Sequence, residues 1–192
     1  MRAYIIHGNT RKKSNTEALA KLFSEELSAK GVEVVQISLR EKNVQTCVGC
    51  DACHSVLDSF GCVINDDMQE IATEILSADL VVLTSPIYSW MPTPPLKAVM
   101  DRLYAFTKYP QNVDDFNLLK NQKFAMIATS GDDCETNCDL FDEAVRRMAK
   151  FAKLSYLGYV AALESDVKNG ITEAVASDVR RFAGECVDAI AE

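Results

Sequence analysis

Ala3-Tyr4-Ile5-Ile6 runs directly into His7-Gly8-Asn9-Thr10-Arg11-Lys12-Lys13-Ser14-Asn15-Thr16-Glu17. An apolar run, a polar loop and a helix start follow one another without a break. A strand that is apolar at every position is covered on both faces, which is the habit of parallel sheets. Ser14 with Glu17 three residues on predicts a capping box, so the helix should begin near Asn15. The same alternation recurs along the chain. Leu80–Leu83 and Phe124–Ala128 are continuous apolar strands, Val32–Ile37 is a strand interrupted by Glu33 and Gln36, and a fifth lies within Tyr156–Ala162. Between them, helical spacing relates Ala18, Leu19, Leu22, Phe23 and Leu27, and likewise Met68, Ile71, Ala72, Ile75 and Leu76. Leu96, Val99, Met100 and Leu103 form a third stripe, Phe141, Ala144, Val145 and Met148 a fourth, and Val175, Val179, Phe182, Cys186 and Ile190 a fifth. Five βα units predict an α/β doubly wound three-layer sandwich. Such sheets take ligands beyond the carboxyl ends of their strands.

Composition bounds the rest. The 192 residues suit one domain spanning 1–192, and 48% apolar with 25% charged residues is the balance of a folded chain. Lys and Arg number 20 against 28 Asp and Glu, a net charge of −8 that argues against nucleic acid as a partner. Apolar runs such as Phe124–Ala128 and Tyr159–Leu163 fall far short of the ~20 residues of a membrane span. Seven cysteines and an N-terminus that starts a strand at once, without a secretory pattern, predict a reducing, cytoplasmic setting. Only Thr46–Asn65 interrupts the alternation, and it reads as a cysteine-rich insertion loop.

The loop after the first strand is the richest in chemistry. Asn9, Thr10, Ser14, Asn15 and Thr16 supply amides and hydroxyls, Arg11 a positive charge, and the helix start free N–H groups. A solvated basic loop before a capped helix would account for part of this pattern. Three consecutive basic residues at the switch-point side of an acidic chain favour a phosphate instead. A P-loop ending at Ser14 would need glycines where His7 and Lys12 stand, and no two of the eight glycines have the G-x-G spacing. The remaining reading is a loop for a terminal monophosphate, with FMN the obvious ligand.

Pro86-Ile87-Tyr88-Ser89-Trp90-Met91 follows the third strand, within a stretch to Pro95 that holds four of the five prolines and the only tryptophan. A proline-stiffened loop bearing aromatics can wall the pocket of a flat ring. Thr129-Ser130-Gly131 after the fourth strand lets backbone approach such a ring's polar edge. Asp101 and Arg102 on the intervening helix read as structural ion-pair partners.

His7–Thr16, Ser85–Met91, Pro95–Arg102 and Thr129–Gly131 together resemble the flavodoxin-like NAD(P)H-dependent FMN reductases, over about residues 1–165. Cys47–Met68 is similar to the cysteine-bearing branch that includes the iron–sulfur flavoproteins. The resemblance implies a five-stranded parallel sheet in the order 2-1-3-4-5, non-covalent FMN and a homodimer or homotetramer. It implies that Asn9, Arg11, Ser14, Asn15 and Thr16 hold the phosphate. Pro86, Ile87, Tyr88, Ser89, Trp90 and Met91 would contact the isoalloxazine, joined by Thr129, Ser130 and Gly131. It further implies an oxidoreductase passing hydride or electrons from NAD(P)H through FMN to a small acceptor such as a quinone or flavin. Two histidines and no serine–histidine–acid arrangement fit chemistry that needs no side chain as catalytic base. Two alternatives stay open: an iron–sulfur flavoprotein serving a ferredoxin-like redox protein, and a non-enzymatic FMN-binding module.

Cys47-x2-Cys50-x2-Cys53 has the spacing that wraps one [4Fe-4S] cube, with Cys62 as the fourth ligand. Zinc fits less well, because only one C-x2-C cluster is present. Free or redox-active thiols are the other reading of the same loop.

Overall fold

The computed structural model describes residues 1–110 and 116–192. The chain opens with β1 (Arg2–His7), α1 (Asn15–Ala29) and β2 (Glu33–Ser38), followed after the cysteine loop by α2 (Met68–Ser77), β3 (Leu80–Pro86) and α3 (Pro94–Arg102). A short ladder, β4 (Thr107–Lys108) with β5 (Phe116–Asn117), precedes β6 (Lys123–Ser130). The chain then continues through α4 (Cys134–Asn137), α5 (Asp139–Ala152), β7 (Ser155–Leu163), α6 (Ser165–Lys168) and α7 (Glu173–Ala191).

Five strands form one parallel sheet in the order β2-β1-β3-β6-β7. Setting the antiparallel β4–β5 ladder aside, this is the expected 2-1-3-4-5. Side chains alternate between the faces: Tyr4 and Ile6 join the core beneath α2, α3 and α5, while Ala3 and Ile5 join the core beneath α1 and α7. The apolar stripes find these cores with three exceptions, of which half-buried Ala144 on α5 is one. Leu76 is 43% exposed, and Ala18 faces out of α1.

β1 and β3 run side by side through the centre, so their carboxyl ends open at one point. Gly8 sits at that point because nothing larger fits. Its N–H donates to Thr84 O at 2.8 Å, and a Cβ on it would stand 2.8 Å from Leu96 Cβ and 2.9 Å from Thr84 O. Among the described residues, no helix is long and apolar enough to cross a membrane.

Candidate active site

α1 begins at Asn15, and Ser14 holds the extended N-cap conformation, yet the capping box does not form. The Ser14 side chain makes no capping bond, and Glu17 Oε2 instead accepts from Asn9 Nδ2 at 3.1 Å. The first N–H groups of the helix therefore keep their capacity for an external acceptor. Asn9 is buried and also donates to Arg11 O at 2.8 Å, and Arg40 donates to the same carbonyl at 3.1 Å. These two bonds fix the loop from its carbonyl side, while Arg11, Lys12 and Lys13 remain exposed.

The second loop is pinned from below. Thr93 N donates to Ser85 Oγ at 3.0 Å, Thr93 Oγ1 to Gly8 O at 2.5 Å, and Ile87 N to Thr129 O at 2.8 Å. At its tip, Tyr88 and Met91 exchange backbone hydrogen bonds around Ser89 and Trp90, whose φ values are 49° and 65°. This is a two-residue turn with both central residues left-handed. The Thr10 and Tyr88 hydroxyls, 3.2 Å apart, join the two loops across the opening. From below, Thr16 Oγ1 meets Thr129 Oγ1 at 2.5 Å.

A cleft of about 1000 Å³ lies between these parts. It brings together Asn9, Arg11, Ser14, Asn15, Thr16, Pro86, Ile87, Tyr88, Thr129, Ser130 and Gly131 from the expected set. Ser89, Trp90 and Met91 do not line it: the turn carries Trp90 outward, to 52% exposure. Lining residues the sequence reading passed over are Gln36, Glu164, Val167 and Lys168, together with Lys21 on α1. Glu164 N donates to Ser130 O at 2.8 Å, which brings the end of β7 and α6 to the cleft. No sequence signal marked that return. Beneath the floor, His7 is buried, with Nε2 2.9 Å from Gln36 Oε1, and burial holds its imidazole below the ordinary value.

The donor set fits FMN. At one end lie an uncapped helix start and three cationic side chains for a phosphate, and at the other a Tyr88 wall and the backbone of two strand ends for a ring.

The cysteine loop packs on the same side of the sheet as α3. Its neck is closed by Arg102, which donates to Asp66 Oδ2 at 2.5 Å, to Cys62 Sγ at 3.3 Å and to the carbonyls of Gln45 and Ile64 at 3.4 Å. Asp101 pairs with Lys97 at 2.5 Å, so both members of the expected ion-pair couple have partners, though not each other. Farther out, Lys108 Nζ donates to Cys53 O at 2.9 Å and Phe60 O at 3.2 Å, and His54 Nδ1 lies 2.7 Å from Thr107 O. Cys53 and Cys62 are half-buried, while Cys47 and Cys50 are exposed. Burial pushes the Cys53 thiol up, with Lys108 opposing. Among the described residues, no three His, Cys, Asp or Glu side chains stand together as a ligand set. The loop thus holds four thiols of the right chemistry for an iron–sulfur cluster, with Cys50 and Cys62 both near enough to Cys53 to act on its charge and two buried cations behind them.

The model of the NADPH-dependent FMN reductases matches residues 1–139. The chain belongs to that family. Relatives include an iron–sulfur flavoprotein of Archaeoglobus fulgidus, 32% identical over 110 residues that make up 57% of this chain and 49% of the relative. An iron–sulfur flavoprotein of Methanocaldococcus jannaschii is 33% identical over 102 residues, 53% of this chain and 51% of the relative. The chain thus spans about half the length of the curated relatives it matches. In fold it is similar to an NAD(P)H:quinone oxidoreductase from Methanothermobacter marburgensis, with a TM-score of 0.70 at 16% identity over 95% of this chain and 97% of the other. FMN is the cofactor of this family and the one the cleft's donor set fits.

Proposed function

We propose that the protein is an oxidoreductase that passes hydride or electrons from NAD(P)H through FMN to a small acceptor such as a quinone or a flavin. One observation carries this reading: a single cleft joins the uncapped, cation-ringed start of α1 to the Tyr88 loop and the Thr129–Gly131 turn. Held by the residues of this cleft, FMN would supply the two-electron redox chemistry that the reaction needs.

The chain's own work is binding and orientation. Arg11, Ser14, Asn15 and Thr16 hold the phosphate, with the N–H groups of α1 as further donors. Pro86, Ile87 and Tyr88 form a wall for the ring, and the Thr129–Gly131 backbone offers donors to its polar edge. No side chain in the cleft has to move a proton as a base. The reading includes a cytoplasmic homodimer or homotetramer. Stopped-flow mixing of the FMN-loaded protein with NADH and with NADPH tests it: rapid bleaching of the long-wavelength flavin band is expected, and no bleaching with either donor overturns it.

A second reading rests on the docked cysteine loop. Four thiols on one loop, and relatives named iron–sulfur flavoproteins, support a [4Fe-4S] cluster on Cys47, Cys50, Cys53 and Cys62, with a ferredoxin-like redox protein as partner. Iron and sulfide assay after anaerobic purification tests it. Flavin-loaded protein without iron rejects the cluster and leaves the reductase reading standing.

A further inference from the structure

Lys108 is fully buried at the base of the cysteine loop, and its ammonium is met by two carbonyl oxygens, those of Cys53 and Phe60. Among the described residues, no carboxylate lies within ion-pair distance of it. Arg102, 1% exposed, has Asp66 as counter-ion, yet its other arm donates to Cys62 Sγ at 3.3 Å and its Nε is buried without an acceptor. A buried ammonium without an anion is costly, and a buried guanidinium N–H without an acceptor adds to that cost. Nothing in the flavin cleft explains either group, because neither lines it. What both groups share is a neighbour on the inner side of the loop: Cys53 for Lys108 and Cys62 for Arg102.

We infer that Lys108 and Arg102 are positioning residues for a sulfur-ligated cluster, holding fixed positive charge behind Cys53 and Cys62. This rests on the cluster reading given above. A four-thiolate iron–sulfur centre is anionic in both of its redox states and becomes more so on reduction. Positive charge and N–H donors at its ligand sulfurs therefore favour the reduced state and raise the reduction potential. Carbonyl acceptors hold Lys108 in place but leave its charge unneutralised, and Arg102 supplies the directed N–H. Each residue also ties the loop to α3 or β4, so the centre would sit on a rigid base.

The experiment uses the full chain, purified anaerobically with its flavin. It measures iron and sulfide content and the cluster's midpoint potential by spectroelectrochemical titration. Lys108→Gln keeps N–H donors for the Cys53 and Phe60 carbonyls and removes the charge. Its midpoint should shift to more negative values or its iron should be lost, with the flavin spectrum unchanged, and Lys108→Arg should restore the wild-type behaviour. A fully loaded Lys108→Gln cluster titrating at the wild-type potential overturns the inference. Should Lys108→Gln fail to fold, Arg102→Leu combined with Asp66→Asn removes the N–H donor to Cys62 at unchanged net charge. The same negative shift is then expected, and an unchanged potential again overturns the inference. Wild-type protein that holds flavin but never iron refutes the cluster reading itself, a result distinct from either of these.

Discussion

Arg102 and Asp66 meet across the neck of the cysteine loop, Nη1 to Oδ2 at 2.5 Å, with side chains 1% and 0% exposed. Asp66 also accepts from Gln45 N at 2.7 Å and Met68 N at 3.2 Å, so one carboxylate ties both ends of the loop to α3. Either single substitution, Arg102→Gln or Asp66→Asn, leaves the other group buried with a broken bond and should cost about 3–5 kcal/mol. The double substitution should cost clearly less than the sum of the two. Urea unfolding of all four proteins measures the coupling, and strict additivity would count against a sealed pair.

The same carboxylate predicts an acid limit. Burial opposes ionisation of Asp66, but hydrogen bonds from Arg102, Gln45 and Met68 outweigh it and hold the carboxyl below the ordinary value. A depressed carboxylate contributes stability that is complete above its unfolded pKa of about 3.9 and is lost as pH falls through the lower folded value. Thermal stability should therefore drop below about pH 4. Asp66→Asn should be less stable at neutral pH and lack this part of the decline.

His7 gives a second, higher window. Burial favours its neutral form, so below about pH 6.5 the unfolded chain takes up a proton that the folded one resists. Stability should fall as pH drops from about 6.5, until the folded imidazole protonates as well. His7→Gln should flatten the slope between pH 7 and 5. A wild-type stability curve with no slope in that range would exclude the effect.

Gly8→Ala tests the junction of β1 and β3. The added Cβ meets Leu96 Cβ at 2.8 Å and the Thr84 carbonyl at 2.9 Å, and backbone cannot yield as a flexible side chain can. Overpacking of this kind costs about 1–3 kcal/mol. Because Gly8 leads into the phosphate loop, FMN affinity should fall as well. Calorimetric Tm and a flavin titration measure the two effects.

Arg11→Ala should weaken FMN binding by about 1–3 kcal/mol through loss of a charge-assisted bond. Riboflavin, which lacks the phosphate, should lose less. Fluorescence titrations with both ligands decide this, and equal losses remove Arg11 from the phosphate site.

Trp90→Ala carries the opposite expectation. The turn holds Trp90 outside the cleft, so FMN affinity of the monomer should change by no more than about 0.5 kcal/mol. A large loss would mean that Trp90 folds back over the ligand or meets it from a second subunit.

Periodicity and loop chemistry in the sequence were enough for the doubly wound sheet and most of the cleft, while the strand order came from the resemblance to the FMN reductases. Uninterrupted apolar runs such as Phe124–Ala128 have one stable solution, a parallel strand covered on both faces, and loops at the carboxyl ends then converge. Asn9, Ser14 and Thr16 were legible for that reason. Three features were decided only by the fold. Ser14 and Glu17 match a capping box, but Asn9, brought beside Glu17 by the loop's path, takes the carboxylate that would have capped the helix. Trp90 has the right residue type for a ring wall, yet two successive left-handed residues turn it outward, and φ signs at non-glycine residues carry no clear sequence mark. Arg102 reads in the sequence as an ion-pair partner, but its partner Asp66 is 36 positions away, and nothing in the sequence marks Asp66 or Lys108 until the cysteine loop closes over them. Burial, which alone makes such charges consequential, is a property of the assembled chain.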